Sequence, residues 1–348
     1  MKIKEAKYFP FSLKLKIPFV NSTGILTERK GFVLKLTDVF GNIGYGECSP
    51  LPGFSTETLR DAEQSLNKII SFLLSSKQED DYNVPSDFSS VTFAAEQALL
   101  NLALAQNKTL WLEKLGVEDK VIPVNAVIGF DDYQNIFDKI KCKIELGYTT
   151  FKIKVGRDNP YEDFELLETI RTNFGFDIKL RLDVNQKWTS DEAIEYLDRF
   201  RAFEIEYVEE PCEFACSTFR TGEETQIPIA LDDSLKSYFD LVNFIADSNI
   251  EYFVVKPMIV GGISATKRII KLAEQNNRKI IISSAFESAI GKQALVMLAS
   301  LTNHSLAHGL DTSECFINDI CTDVYSVKKG SVEFISSVIP HKTDLRIQ

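Results

Sequence analysis

Lys152 and Lys154 stand two residues apart in the stretch YTTFKIKVG (residues 148–156), alternating with Phe151, Ile153 and Val155. Period-2 alternation is the signature of a β-strand, so the two ammonium groups share one face. Taken alone, such a strand is an ordinary surface strand with its polar face in water. Downstream, however, further ionisable residues close similar apolar runs: Asp183 in LRLDVN, Glu209 in YVEEP, Asp232 in ALDDS and Lys256 in FVVKP. Isolated acids at strand ends are usually solvated or cap helices. Successive strands that each deliver a carboxylate, flanked by strands that deliver lysines, form a different pattern, one suited to proton transfer beside a metal ion.

Oxygen ligands on separate strands suit a hard divalent cation. Mg2+ fits best because it keeps positions for water or substrate, and Mn2+ is satisfied by the same donors. No histidine or cysteine stands among the candidates, which argues against zinc. His304, His308 and His341 all lie late in the chain, where a structural or surface role is expected. A metal flanked by lysines points to removal of a proton next to a carboxylate. That proton is too weakly acidic for an amine unaided, and cation coordination of the developing enediolate must supply many tenfold steps at about 1.36 kcal/mol each. A lysine can act as the base where neighbouring positive charge and partial desolvation lower its pKa, as Lys152 and the metal would do for Lys154.

Such residues need a scaffold that gathers strand ends. From Val121 onward strand and helix alternate. Strands are expected at Val121–Ile128, over FKIKV, and at Ile178–Val184, Ile205–Glu209, Ile227–Asp232, Glu251–Lys256 and Lys279–Ser284, with a weaker eighth at Ser305–Leu310. Helical sequence separates them; in Asp132–Leu146, for example, Ile136, Ile140 and Ile144 line one face. Eight strands at roughly 23–30-residue spacing are what a (β/α)8 barrel requires, and its chemistry sits at the C-terminal strand ends. A doubly wound sheet competes, but no strand is followed by a phosphate-binding glycine fingerprint. Gly44-Tyr45-Gly46 is an isolated G-x-G and carries no such weight.

The first ~115 residues read differently, as an α+β unit. Strands are expected at Phe9–Phe19, Gly31–Leu36 and Ile43–Glu47, with a mobile loop near Asn21–Arg29. A helix over Thr56–Leu74 with Ser55 as N-cap, a polar stretch over Gln78–Ser90, and a helix over Val91–Ala105 follow.

The chain has 348 residues, 39 basic and 50 acidic, for a formal net charge of -11. That balance argues against a nucleic acid or an anionic membrane as partner, since the electrostatic term would be repulsive. The expected partner is a small-molecule carboxylate substrate; composition leaves open whether the chain is a monomer or a homo-oligomer. The six cysteines include no CxxC pair, and reduced thiols are expected. Lysines break every apolar run of MKIKEAKYFPFSLKLKIPFV, which reads as neither signal peptide nor membrane span, so a cytoplasmic location is expected.

The motifs K-x-K (Lys152, Lys154), D-x-N (Asp183, Asn185), E-E-P (Glu209–Pro211), Asp232-Asp233 and Lys256-Pro257 on consecutive strands resemble the enolase superfamily, in its muconate-lactonising subgroup. The likeness covers nearly the whole chain. Within the subgroup, GYGECSPLPGFSTET, SVTFAAEQALLNLA, VVKPMIVGG, IISSAFESAIG and HGLDT are similar to segments of the o-succinylbenzoate synthase family. The resemblance implies an α/β fold, a (β/α)8-type barrel in the modified (β/α)7β form. It also implies an N-terminal α+β capping domain over residues 1–115, a barrel over 116–318, and a C-terminal segment over 319–348 that returns to complete the cap.

The activity implied is Mg2+-dependent dehydration of 2-succinyl-6-hydroxy-2,4-cyclohexadiene-1-carboxylate to o-succinylbenzoate, in menaquinone biosynthesis, through α-proton abstraction and a metal-stabilised enediolate. By the same resemblance, Asp183, Glu209 and Asp232 would bind Mg2+. Lys154 would remove the α-proton and then protonate the departing hydroxyl, Lys256 would stabilise the opposite face, and Lys152 would tune Lys154 and neutralise the substrate carboxylate. Asn185 and Asp233 would orient ligands or lysines, although Asp233 stands where the family usually has Glu. Ser283 and Ser284 would reach the succinyl part, and the helix start near Ser288 would favour an anion. Arg29, Gly53 and Phe54 would close over the substrate from the capping side. N-succinylamino acid racemases and dipeptide epimerases share the scaffold and both lysines. The epimerases resemble one another in an acidic D-x-D at the eighth strand, where this chain reads Gly309-Leu310-Asp311.

Overall fold

Three antiparallel strands open the chain: β1 (Ile3–Asn21), β2 (Gly24–Asp38) and β3 (Ile43–Cys48). The computed structural model describes residues 2–21, 24–75, 84, 86–213, 215–246, 249–335 and 345–346. The mobile loop expected near Asn21–Arg29 is instead strand: Phe19 pairs with Leu26, Val20 with Ile25 and Asn21 with Gly24. Ladder hydrogen bonds satisfy the backbone of this polar stretch, so β1 and β2 extend into one long hairpin arm. Ser22 and Thr23 lie outside the described residues.

Helix α1 (Leu59–Ser75) starts later than expected. Thr58 Oγ1 accepts from Asp61 N (3.2 Å) while the Asp61 carboxylate accepts from Thr58 N (3.0 Å), a reciprocal cap. Ser55 Oγ is occupied elsewhere, accepting from Leu51 N at 2.9 Å. Most of the expected polar stretch over Gln78–Ser90 lies outside the described residues. Helix α2 (Ser89–Gln106) is buried along almost its full length. β3 presses on it backbone to backbone, for a Cβ at Gly44 would run into Ala98 O and one at Gly46 into Ala94 O.

After α3 (Lys108–Leu115), the expected strand Val121–Ile128 divides. β4 (Lys120–Pro123) pairs antiparallel with residues 331–334, whereas β5 (Ala126–Ile128) enters the barrel. The partner changes at Val124 and Asn125, where Val124 bridges to His308 and Asn125 Oδ1 accepts from Arg181 (3.2 Å) inside the barrel.

The barrel wall continues with β6 (Thr150–Lys154), β7 (Lys179–Asp183), β8 (Ile205–Glu209), β9 (Ile229–Leu231), β10 (Ile250–Val255) and β11 (Lys279–Ile282), parallel throughout and adjacent in chain order. His308 and Gly309 close it between Val124 and Ser283. Asn125 N donates to His308 O at 3.0 Å and Ser284 N to Gly309 O at 2.9 Å. The weak eighth strand is therefore present as bridges. Helices α4 (Tyr133–Glu145), α5 (Pro160–Phe174), α6 (Ser190–Phe200), α7 (Ala215–Thr225), α8 (Tyr238–Phe244), α9 (Pro257–Val260), α10 (Gly262–Gln275) and α11 (Ala289–Ser300) surround it. This is a (β/α)7β-type barrel beside an antiparallel capping module.

Alternate residues of each barrel strand face opposite ways. Phe151, Ile153, Leu180, Leu182, Val208 and Val255 pack outward in the main core, each worth about 1.5–3 kcal/mol by burial. Inside the barrel, Tyr207, Ala230, Val254 and Ile281 form a smaller cluster beneath the mouth. β12 (Ser331–Phe334) is the partner of β4, while Phe316 bridges to Leu15 of β1.

Two carboxylates from the first module cap barrel helices. Glu47 of β3 accepts from Ser288 N (3.0 Å) and Gly291 N (3.0 Å) at the start of α11, and Glu96 of α2 accepts from Ser264 N (3.0 Å) in α10. Asp319 accepts from Ala289 N at 3.0 Å. The anion expected at the helix start near Ser288 is thus supplied by the protein itself. Among the described residues, no helix is long and apolar enough to cross a membrane.

Candidate active site

Register sets the site. Lys154 pairs with Asp183 and Asp183 with Glu209, so three strand ends stand level. Asp232 follows β9 by one residue and Lys256 follows β10 by one. Because β6 to β10 are neighbours in order, the mouth carries Lys154, Asp183, Glu209, Asp232 and Lys256 as one arc. Lys152 lies two residues before Lys154 on the same strand face, one layer deeper.

Lys152 Nζ lies 3.0 Å from Glu209 Oε1 and 3.2 Å from Asp183 Oδ2. Lys154 Nζ stands back at 3.7 Å from Asp183 Oδ2, and Lys256 Nζ donates to Asp232 Oδ1. Of the three lysines Lys154 is the most open, its side chain 29% exposed against 15% for Lys152 and 12% for Lys256. It is therefore the amine with most access to a substrate. Burial opposes charge on Lys152, but Asp183, Glu209 and Asp232 outweigh it and hold the ammonium well above the ordinary lysine value. Burial pushes Glu209 up against the pull of Lys152, helped by the like charges of Asp183 and Asp232. Lys256 is raised in the same way as Lys152: burial opposes its charge, and Asp232 and Asp233 prevail.

The carboxylates are held by ammonium groups rather than gathered at one point. Among the described residues no group of three acidic, histidine or cysteine side chains is arranged to hold a metal ion. Their chemistry nonetheless suits one. Asp183 Oδ1 is buried with no hydrogen-bond partner, and Glu209 carries like-charge repulsion that a divalent cation would relieve. Asn185 Nδ2 lies 3.4 Å from Asp233 Oδ2, and Asp233 Oδ1 is another buried acceptor without a partner.

The capping module covers the mouth from one side. Leu51 packs with Ile259 and Ala285, and Leu26 of the hairpin arm and Phe54 join that cluster. The Phe54 ring centroid lies 4.9 Å from Lys256 Nζ, carried by a turn in which Gly53 takes φ 86°. Phe19 of the arm meets Phe286 of the barrel at 4.8 Å between centroids.

Two expected contacts are differently placed. Arg29 was expected to meet an anion, but it is buried and its guanidinium is spent on the carbonyls of Ser49, Pro50 (2.8 Å) and Phe286 (3.3 Å). It ties the capping loop to the barrel. Ser284 Oγ is also committed, donating to Glu287 Oε2 (2.6 Å) while accepting from Phe286 N (3.0 Å) and Thr312 Oγ1 (2.9 Å). Ser283 is half-buried and remains the better placed of the two. Its Oγ occupies space that a Cβ at Gly309 would enter. Asp311 bonds Lys143 at 2.6 Å and interacts with Tyr148. His308 is buried in the barrel wall, accepting from Ile282 N at 2.9 Å.

Residues 138–337 match the family described as Enolase C-terminal domain-like, and residues 3–102 match MenC, N-terminal domain. The chain is 30% identical to the o-succinylbenzoate synthase of Pasteurella multocida, over 89% of each chain. It is equally 30% identical to the D-Ala-D/L-Ala epimerase of Cytophaga hutchinsonii, over 92% of this chain and 89% of the relative. At 27% identity it matches Protein PHYLLO, chloroplastic, of Arabidopsis thaliana over 92% of its own length, but spans only 22% of that protein. Among solved structures, the L-Ala-D/L-Glu epimerase from Bacillus subtilis superposes with a TM-score of 0.86 at 20% identity, covering 96% of this chain and 97% of that one. The dipeptide epimerase from Cytophaga hutchinsonii, complexed with Mg and D-Ala-L-Val, gives 0.83 at 27% identity, covering 95% and 93%.

Proposed function

The chain belongs to the enolase superfamily, and on that footing we propose that it is an o-succinylbenzoate synthase of menaquinone biosynthesis. It would dehydrate 2-succinyl-6-hydroxy-2,4-cyclohexadiene-1-carboxylate to o-succinylbenzoate. The observation that carries this over epimerisation is the eighth strand. By resemblance Gly309 stands where the epimerases carry the first acid of their D-x-D, and Asp311 is tied to Lys143 at 2.6 Å. A substrate α-ammonium would find no acidic pair there, whereas a substrate without one needs none.

In this reading Asp183, Glu209 and Asp232 would hold Mg2+. When bound, Mg2+ supplies positive charge to the substrate carboxylate as the neighbouring C–H bond breaks. Lys154, the most open amine, takes the α-proton. The C–H electron pair forms the new ring double bond, the C–O bond breaks, and the Lys154 ammonium returns its proton to the departing hydroxyl as water. Lys256 faces the ring from the other side as a fixed positive charge. Lys152 offsets the crowded carboxylates and the substrate's own charge. Ser283 Oγ is offered to the succinyl end, and the Leu26, Leu51 and Phe54 side chains exclude water over it.

A racemase or epimerase reading has support in the same two lysines and in the 30% identity to the Cytophaga hutchinsonii relative. The purified chain assayed with Mg2+ against the cyclohexadiene carboxylate, N-succinylamino acids and dipeptides separates the readings. Dehydration with much the highest kcat/KM is expected. Turnover of only the amino-acid or dipeptide substrates would overturn the proposal, as would turnover unaffected by a chelator.

A further inference from the structure

Glu210 follows Glu209 but leaves the strand: it takes φ 44° and is 1% exposed. Its Oε1 accepts from the backbone N–H of Asp232 (2.9 Å) and of Ser234 (2.7 Å). Its Oε2 accepts from Ser234 Oγ (2.9 Å) and Gln186 Nε2 (3.0 Å). The main chain repeats the pattern, with Gln186 N donating to Glu210 O at 2.7 Å and Glu210 N donating to Ala230 O at 3.0 Å. One residue therefore ties the turn after β7 and the turn after β9 to the end of β8. Those strand ends carry Asp183, Asp232 and Glu209 in that order.

A buried carboxylate is tolerated only when donors satisfy it, and here four converge. Two of the four are consecutive-turn amides flanking Asp233, so their direction fixes the backbone from which Asp232 projects. Gln186, at φ 62°, and Asn185, at φ 49°, form a left-handed turn that the same carboxylate holds from the other side. We propose that Glu210 is a positioning residue: it sets the mutual placement of Asp183, Glu209 and Asp232 so that they can receive one divalent cation, without binding it. The proposal rests on the reading of those three carboxylates as cation ligands.

Removing partners that orient metal ligands typically costs about 10–100-fold in affinity. The test uses the full chain, unmodified and as Glu210→Ala and Glu210→Gln. Hydrogen exchange at the Asp232 and Ser234 amides is measured without metal, and Mg2+ affinity by calorimetric titration. In Glu210→Ala both amides are expected to lose protection and Mg2+ affinity to fall by about 10–100-fold, with kcat largely restored at saturating Mg2+. Glu210→Gln keeps an oxygen for the two amides but turns an N–H donor toward Ser234 and Gln186, so it is expected to fall between. Retained amide protection in Glu210→Ala, or Mg2+ affinity within about twofold of the unmodified chain, overturns the proposal. If Glu210→Ala fails to fold, unchanged Mg2+ affinity in Glu210→Gln overturns it equally. An unmodified chain that binds no Mg2+ overturns the ligand assignment itself, a result distinct from equal binding by both proteins.

Discussion

The ring of Phe54, delivered by the capping module, stands 4.9 Å from the Nζ of Lys256 at the end of a barrel strand. The aromatic face favours the ammonium form of that lysine and keeps water from one side of it. Such a contact is worth about 0.5–1 kcal/mol where it is exposed, rising to ~2 kcal/mol where it is desolvated. Phe54→Ala is expected to lower kcat/KM roughly tenfold, the equivalent of ~1.4 kcal/mol, with little loss of thermal stability. Phe54→Tyr is expected to restore most of it and Phe54→Leu much less. Equal rescue by leucine in steady-state assays would reduce Phe54 to an apolar lid.

Among the described residues Lys154 forms one long ion pair, 3.7 Å to Asp183, so its removal leaves few partners stranded. Lys154→Ala is expected to fold with a Tm close to that of the unmodified chain while kcat falls by about 10²–10⁴, the usual contribution of a positioned acid–base group. Near-normal dehydration by this variant would show the base assignment to be wrong.

Glu287 predicts how stability varies with pH. It is fully buried, its Oε2 accepting from Ser284 Oγ and Ala285 N (2.7 Å) while its Oε1 has no partner. Burial pushes the carboxyl up to about 7 from an ordinary 4.5, with Glu47 adding to the rise and Ser284 and Arg29 opposing it. The folded form therefore holds the proton more tightly than the unfolded chain does. Below the unfolded value the two states are equally protonated, and stability drains away as pH rises from about 4.5 to about 7. That interval corresponds to roughly 3 kcal/mol. Glu287→Gln is expected to flatten this part of the profile and to unfold at a higher temperature than the unmodified chain at pH ~8. Thermal melts across that range check it, and an unchanged slope would remove Glu287 as its cause.

Gly46→Ala is expected to damage the capping module severely, because its methyl group would meet the Ala94 carbonyl of α2. Backbone on both sides leaves nothing to rotate aside, so a loss of several kcal/mol is expected, beyond the usual 1–3 for overpacking. Denaturant unfolding reads this directly. Close packing of strand on helix accounts for both glycines of the isolated G-x-G.

The barrel was readable because its strands are short apolar runs at a regular interval, and the arc of strand-end residues followed from a parity count. Lys154, Asp183 and Glu209 pair in register as that count requires. What escaped turns on pairing and packing that local alternation does not carry. Residues 24–29 pair with the end of β1 just before them, a strand that their polar, glycine-punctuated sequence does not announce, and Arg29 is buried because three carbonyls from two segments hold it. Ser283 and Ser284 look alike in the sequence, yet Glu287 and Thr312 occupy only the second. Val121–Ile128 reads as one run because hydrophobic alternation does not reveal where a strand changes partners.

Glu47 and Glu96 cross from the first module to the starts of two successive barrel helices, and each enters like a dowel pin. A single pin would permit swivelling about itself, whereas two set apart prevent it. Rocking the modules against each other would strip both buried carboxylates of their partners together. The two modules are therefore held at one fixed angle, like a cover bolted to its housing at two corners.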